Sequence, residues 1–135
     1  MNNRRNFIQK IAAGLSSAGL FSIVKTGQAA EIKFSKTFVH QVYFWLRNPK
    51  SEEDREAFEK GVEALLRVPV IKASHVGKPV PSDRDVVDDS FTYSYMVMFD
   101  SSEDHDVYQS HPIHLKFVED CSHLWEKVTV YDAMG

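Results

Sequence analysis

The chain has 135 residues, 43% of them hydrophobic, enough for one packed domain and a leader. Four of its 16 basic residues, Arg4, Arg5, Lys10 and Lys25, precede the first acidic residue, Glu31; the rest of the chain carries 12 basic against 19 acidic side chains, a net charge near −7. That balance excludes a nucleic-acid binder, which needs a basic face that releases counterions, and a protein held by charge on anionic lipid.

Residues 2–30 read as a targeting segment. The run Arg4-Arg5-Asn6-Phe7-Ile8-Gln9-Lys10 resembles the twin-arginine export signal. The apolar run that follows, residues 11–24, is diluted by glycine and serine and falls short of the roughly 18 residues that cross a bilayer. Gly27-Gln28-Ala29 then offers small residues to a signal peptidase, with cleavage after Ala29 or Ala30. The expectation is a signal peptide over 1–30, a linker over 31–37 and one domain over 38–133, exported to the periplasm or beyond, with no stable membrane insertion after cleavage. The single Cys121 cannot form an intrachain disulfide, so cysteine usage says nothing about the compartment.

Residues 38–46 alternate with the period of a strand: Phe38, His40, Val42, Phe44 and Leu46 share one face, and Val39, Gln41, Tyr43 and Trp45 the other. Asn48-Pro49 ends it. Ser51 with Asp54 three residues on predicts a capped helix carrying Phe58, Val62, Leu65 and Leu66 on one stripe, stopped by Pro69. A second strand is expected over 70–78, closing at Gly77, then a solvated loop rich in Pro, Asp and Ser. A third strand runs over 91–99, with Tyr93, Tyr95, Val97 and Phe99 opposed to Ser94, Met96 and Met98. Ser101 with Asp104 opens another helix, broken or bent at Pro112, because proline lacks the amide hydrogen and disfavours the helical region at His111. A helical segment over 113–123 and a last strand over 128–132 complete the chain.

The order β-α-β-β-α-β predicts an α+β, ferredoxin-like fold: a four-stranded antiparallel sheet with both helices on one face. The other face would then show Val39, Tyr43, Trp45, Met96 and Met98 to solvent, too large an apolar patch for a lone subunit. A homodimer packed sheet to sheet is therefore expected.

The stretch Tyr108-Gln109-Ser110-His111-Pro112-Ile113-His114 resembles the Y-x-x-H-P-x-H motif of the stress-responsive dimeric α/β-barrel (Dabb) family. His40 in the first strand, Gly77 at the end of the second, and Trp125-Glu126-Lys127-Val128-Thr129-Val130-Tyr131-Asp132 at the close agree with the same family. The resemblance implies a dimeric α/β barrel. The plant polyketide cyclase that makes olivetolic acid is a relative; its catalytic tyrosine and histidine would fall on Tyr108 and His114, and the histidine of its first strand on His40. Its first-helix aromatics are replaced here by Ala57 and Gly61 beside a retained Phe58, so the pocket should differ in shape.

Chemically, a histidine titrates near neutral pH and can accept a proton from carbon beside a carbonyl, while a tyrosine hydroxyl donates to the developing enolate oxygen. Tyr108 and His114 would form such a pair without a cofactor, with His40 orienting His114 or meeting a substrate carboxylate. His111, Phe58, Tyr95, Phe117, Val42 and Phe44 would line a pocket for a small organic ligand between helices and sheet, or simply the core. His111-x-x-His114 with His40 has the residue types of a zinc site, but the spacing fixes no carboxylate beside them, and no metal is expected. His75, His105 and His123 read as surface or strand-edge residues. Two other readings stand beside the acid–base one: a non-catalytic, stress-associated dimeric module with the His/Tyr cluster structural, and a cofactor-free monooxygenase.

Overall fold

In a computed structural model, residues 35–135 are described; the expected signal peptide and most of the expected linker lie outside them. The elements run β1 (Phe38–Leu46), α1 (Glu52–Leu65), β2 (Ala73–Gly77), β3 (Tyr93–Phe99), α2 (Ser102–Ser110), α3 (Pro112–Cys121), a single 3-10 turn (Ser122–Leu124) and β4 (Trp125–Met134). The four strands form one sheet in the order β2-β3-β1-β4, with every neighbouring pair antiparallel.

Local chemistry sets the helices. Ser51 caps α1 by accepting the amide of Asp54 at 3.2 Å, and Glu52 and Glu53 sit at the positive end of its dipole. Phe58, Val62 and Leu65 recur on one stripe and are buried. Ser101 caps α2 in the same way through Asp104, at 3.1 Å. At Pro112 the chain breaks rather than bends. His111 takes an extended backbone (φ −64°, ψ 138°), as a residue before proline prefers, and Pro112 becomes the first residue of α3, where its missing amide costs nothing.

The alternation in β1 and β3 is kept. His40, Val42, Phe44, Leu46, Tyr93, Tyr95, Val97 and Phe99 are buried beneath the helices. Each apolar side chain of that size contributes about 1.5–3 kcal/mol when fully buried. The opposite face keeps Val39, Tyr43, Trp45, Met96 and Met98 half-exposed, and Tyr131 of β4 is 63% exposed there. No helix among the described residues is long and apolar enough to cross a membrane.

Three strands differ from expectation: β3 starts at Tyr93, not at residue 91, because the Thr92 hydroxyl, not its backbone, takes the Leu46 amide at 3.0 Å. β2 starts at Ala73, not at residue 70, because Pro69 is followed by a turn in which the Ile71 amide bonds the Val68 carbonyl at 3.2 Å. β4 is twice as long as the alternation 128–132 suggested. Pairing with β1 extends it from Trp125 to Met134, with a register shift between Trp45 and Leu46. That register puts Asp132 directly opposite His40.

Candidate active site

β1 and β4 supply the floor, and α2 and α3 the wall, of a cleft of about 280 Å³. The β1–β4 ladder makes one side of it: Val42 faces Val130 and Phe44 faces Val128. The helices leave that side uncovered, so Val128 and Val130 stay 43% and 46% exposed. The break at Pro112 turns Tyr108, from the end of α2, toward His114, from the start of α3; their rings meet edge to face, with centroids 4.8 Å apart.

Seven of the nine residues expected at the site line this cleft: His40, Val42, Phe44, Tyr95, Tyr108, His114 and Phe117. The other two do not. His111 caps α3, its Nδ1 accepting the Ile113 amide at 3.1 Å, because the extended residue before Pro112 is where an N-terminal cap must sit. Phe58 is 1% exposed and packs on Phe44 and Tyr93, inside the core that α1 forms with the sheet. A wider groove of about 650 Å³ lies against Trp45, Arg47, Arg55 and Lys78, but no histidine lines it and it is open to solvent. Its size therefore says little about chemistry.

The polar groups of the cleft are individually tuned. Tyr95 and Tyr108 share a hydrogen bond between their hydroxyls, 3.0 Å apart and buried. Burial pushes the Tyr108 hydroxyl up to about 12 and that of Tyr95 higher still; the shared bond raises Tyr95 and lowers Tyr108. Either hydroxyl can donate in this pair, and in the arrangement where Tyr95 donates, Tyr108 keeps its own proton for a ligand. The His114 imidazole is held below its ordinary value, first by burial and then by His40, with the Gln109 backbone pulling the other way. His114 Nδ1 is buried with no partner in hydrogen-bonding geometry. His114 is therefore neutral near pH 7, with a ring nitrogen to spare.

His40 is tied to Asp132, Nδ1 to Oδ1 at 2.6 Å, and not to His114. It is 5% exposed, and its ring lies edge-on to Tyr108 with centroids 5.8 Å apart. The sequence reading missed Asp132, because the alternation alone does not fix the β1–β4 register; the position of that aspartate in the closing motif was the available signal. It also missed His105, which is half-buried, stacks on Phe38 at 4.2 Å and stands 5.0 Å from the His40 ring. Gln109, one helical turn after His105, lines the cleft as well.

Tyrosine, proline-broken helix and histidine in this arrangement carry the motif recognised in the sequence, and the model of the family described as "Stress responsive A/B Barrel Domain" matches residues 38–134. The chain belongs to this family. The match takes in every described element from β1 to β4. Among solved structures, this A/B barrel is similar to a hydroxynitrile lyase from Passiflora edulis, at 20% identity and a TM-score of 0.64 over 74% of this chain and 94% of that one. A protein from Arabidopsis thaliana is 26% identical, with a TM-score of 0.62 over 73% and 94% of the two chains. A dimeric protein with a ferredoxin-like fold from Bacteroides fragilis is 22% identical, with a TM-score of 0.60 over 76% and 100%. No curated protein matches the chain.

Proposed function

We propose that this A/B barrel protein is exported, acts as a homodimer, and uses its cleft to bind a small, largely apolar carbonyl compound and move a proton on it without a cofactor. One observation carries the reading: a neutral histidine with an unpartnered, buried nitrogen and a tyrosine whose hydroxyl is hydrogen-bonded to Tyr95 line the same cleft. His114 takes the proton from carbon next to the carbonyl, and Tyr108, with Tyr95 turned to donate to it, donates to the enolate oxygen as charge develops there. His40, held by Asp132, supplies a second polar contact. The reverse delivery of the proton to another carbon, or loss of a leaving group, makes the class of reaction an aldol-type cyclisation or a lyase step. Support outside the chain is limited to the lyase from Passiflora edulis on the same fold and to the match of Tyr108 and His114 with the plant cyclase motif. A cavity of about 280 Å³ is at the small end for ligand sites, so the substrate is small.

Export rests on the twin-arginine run and dimerisation on the half-exposed sheet face together with the dimeric neighbour. A non-catalytic dimeric module is the second reading, favoured by the 1% exposure of Tyr108. The two are separated by hydrogen–deuterium exchange at carbon beside the carbonyl, followed by NMR, across a panel of apolar ketones and 1,3-diketones. Acid–base chemistry predicts exchange faster than in buffer with matched imidazole, falling about 10²–10⁴-fold in His114→Ala. A wild-type protein that accelerates none of the panel leaves the module reading standing.

A further inference from the structure

His105 has no part in the proton transfer just described, yet it stands beside the His40–Asp132 pair. We propose that His40, His105 and Asp132 form a binding site for a divalent transition-metal ion, with zinc the ion their donor set fits best. One donor atom from each residue lies within 4.8 Å of the other two. The three come from β1, α2 and β4, so the folded domain, not a flexible loop, brings them together. Two imidazoles and one carboxylate hold zinc at about 2.0–2.2 Å each and leave a fourth position open. Donors around such an ion stand about 3.3 Å apart by tetrahedral geometry. His40 Nδ1 and Asp132 Oδ1, now 2.6 Å apart, open by less than an ångström as the ion replaces the proton between them, and the third donor closes in.

The surroundings suit a ligand set. His105 is held flat against Phe38, which fixes its ring plane. Asp132, with its side chain 40% exposed, gives the ion a way in from solvent. The site lies on the helix side of the sheet, away from Tyr43 and Trp45, so a sheet-to-sheet dimer leaves it accessible. His40 also lines the cleft, which places the ion at the cleft's edge. The proposal stands apart from the acid–base reading, because it is tested by metal binding alone.

The full chain, stripped of metal, is titrated with zinc chloride in competition with a chromophoric chelator, and with cobalt(II) as a spectroscopic probe. The expected result is one equivalent per subunit and visible cobalt bands of a low-coordinate nitrogen–oxygen site. His105→Phe, which keeps the stacked ring, and Asp132→Asn each weaken zinc binding at least tenfold, while His123→Ala, at an exposed histidine, leaves it unchanged. Should His105→Phe not fold, Asp132→Asn at the exposed carboxylate decides. No stoichiometric binding by the wild type, equal affinity in the Asp132→Asn variant, or loss of binding in His123→Ala overturns the proposal.

Discussion

Burial of His105 and His114 makes the site sensitive to acid. Both imidazoles are neutral in the fold because burial, and then His40, disfavours their charged form. Their folded pKa values lie below the ordinary value near 6.5, so the unfolded chain binds more protons in the interval between. Stability from these groups is complete above about pH 6.5 and is lost as the pH falls through the folded values. Urea unfolding is expected to show a lower midpoint at pH 5 than at pH 7.5, with the fall reduced in His114→Phe; an unchanged fall in that variant would contradict the assignment. Tyr108→Phe strands the buried Tyr95 hydroxyl and should cost about 1–3 kcal/mol, whereas the double change to phenylalanine at both positions recovers part of the loss. A thermal or urea cycle over the four proteins measures it. At this scale the sequence pointed to Tyr108 and His114, because a tight motif carries them, and to His40 through its place in the first strand. Asp132 and His105 escaped because their partner is fixed only by strand register and by the angle of α2, neither of which a local pattern encodes.

The helices meet where side chains are small. Gly61 of α1 faces α3 so closely that a Cβ there would overlap Cys121 Sγ and press on Phe117. Alanine has the better helix propensity by about 0.8–1 kcal/mol, but overpacking a buried contact costs about 1–3 kcal/mol. Gly61→Ala is therefore expected to lower stability in chemical denaturation, and Gly61→Ala/Cys121→Ala to recover it. If Gly61→Ala alone is stabilising, α1 and α3 are not in close contact at this point. The caps were legible in advance: Ser51 with Asp54 and Ser101 with Asp104 fall where the spacing placed them. So was the interruption at Pro112. That His111 would serve as a cap, rather than face the cleft, was not, since the residue is set by the backbone conformation that Pro112 imposes on it. The length of β4 was hidden for a related reason. Trp125 and Lys127 pair with β1 by tertiary register, with Glu126 at the register shift between them, outside the short alternation that marks the strand.

The domain over residues 35–135 presents two unlike faces. One side of the sheet is covered by three helices except along β4; the other leaves Tyr43, Trp45, Met96, Met98 and Tyr131 partly in water, with the Lys127 ammonium 4.2 Å over the Trp45 ring. Alternation in β1 and β3 foretold this division, because the period of two assigns side chains to faces before any partner is known. A second copy is the occupant that the proposed function requires. Met96→Glu would place a charge at the centre of that face, and sedimentation velocity should then show a folded monomer where the wild type is dimeric.

Native mass spectrometry of the intact assembly tests the central claim most directly, since it reads subunit number and bound small molecules together. The account predicts a dimer that carries up to one small organic molecule per subunit, with that extra mass missing from the Tyr108→Phe/His114→Ala dimer. A wild-type monomer, or a bound molecule retained equally by the double variant, would contradict it.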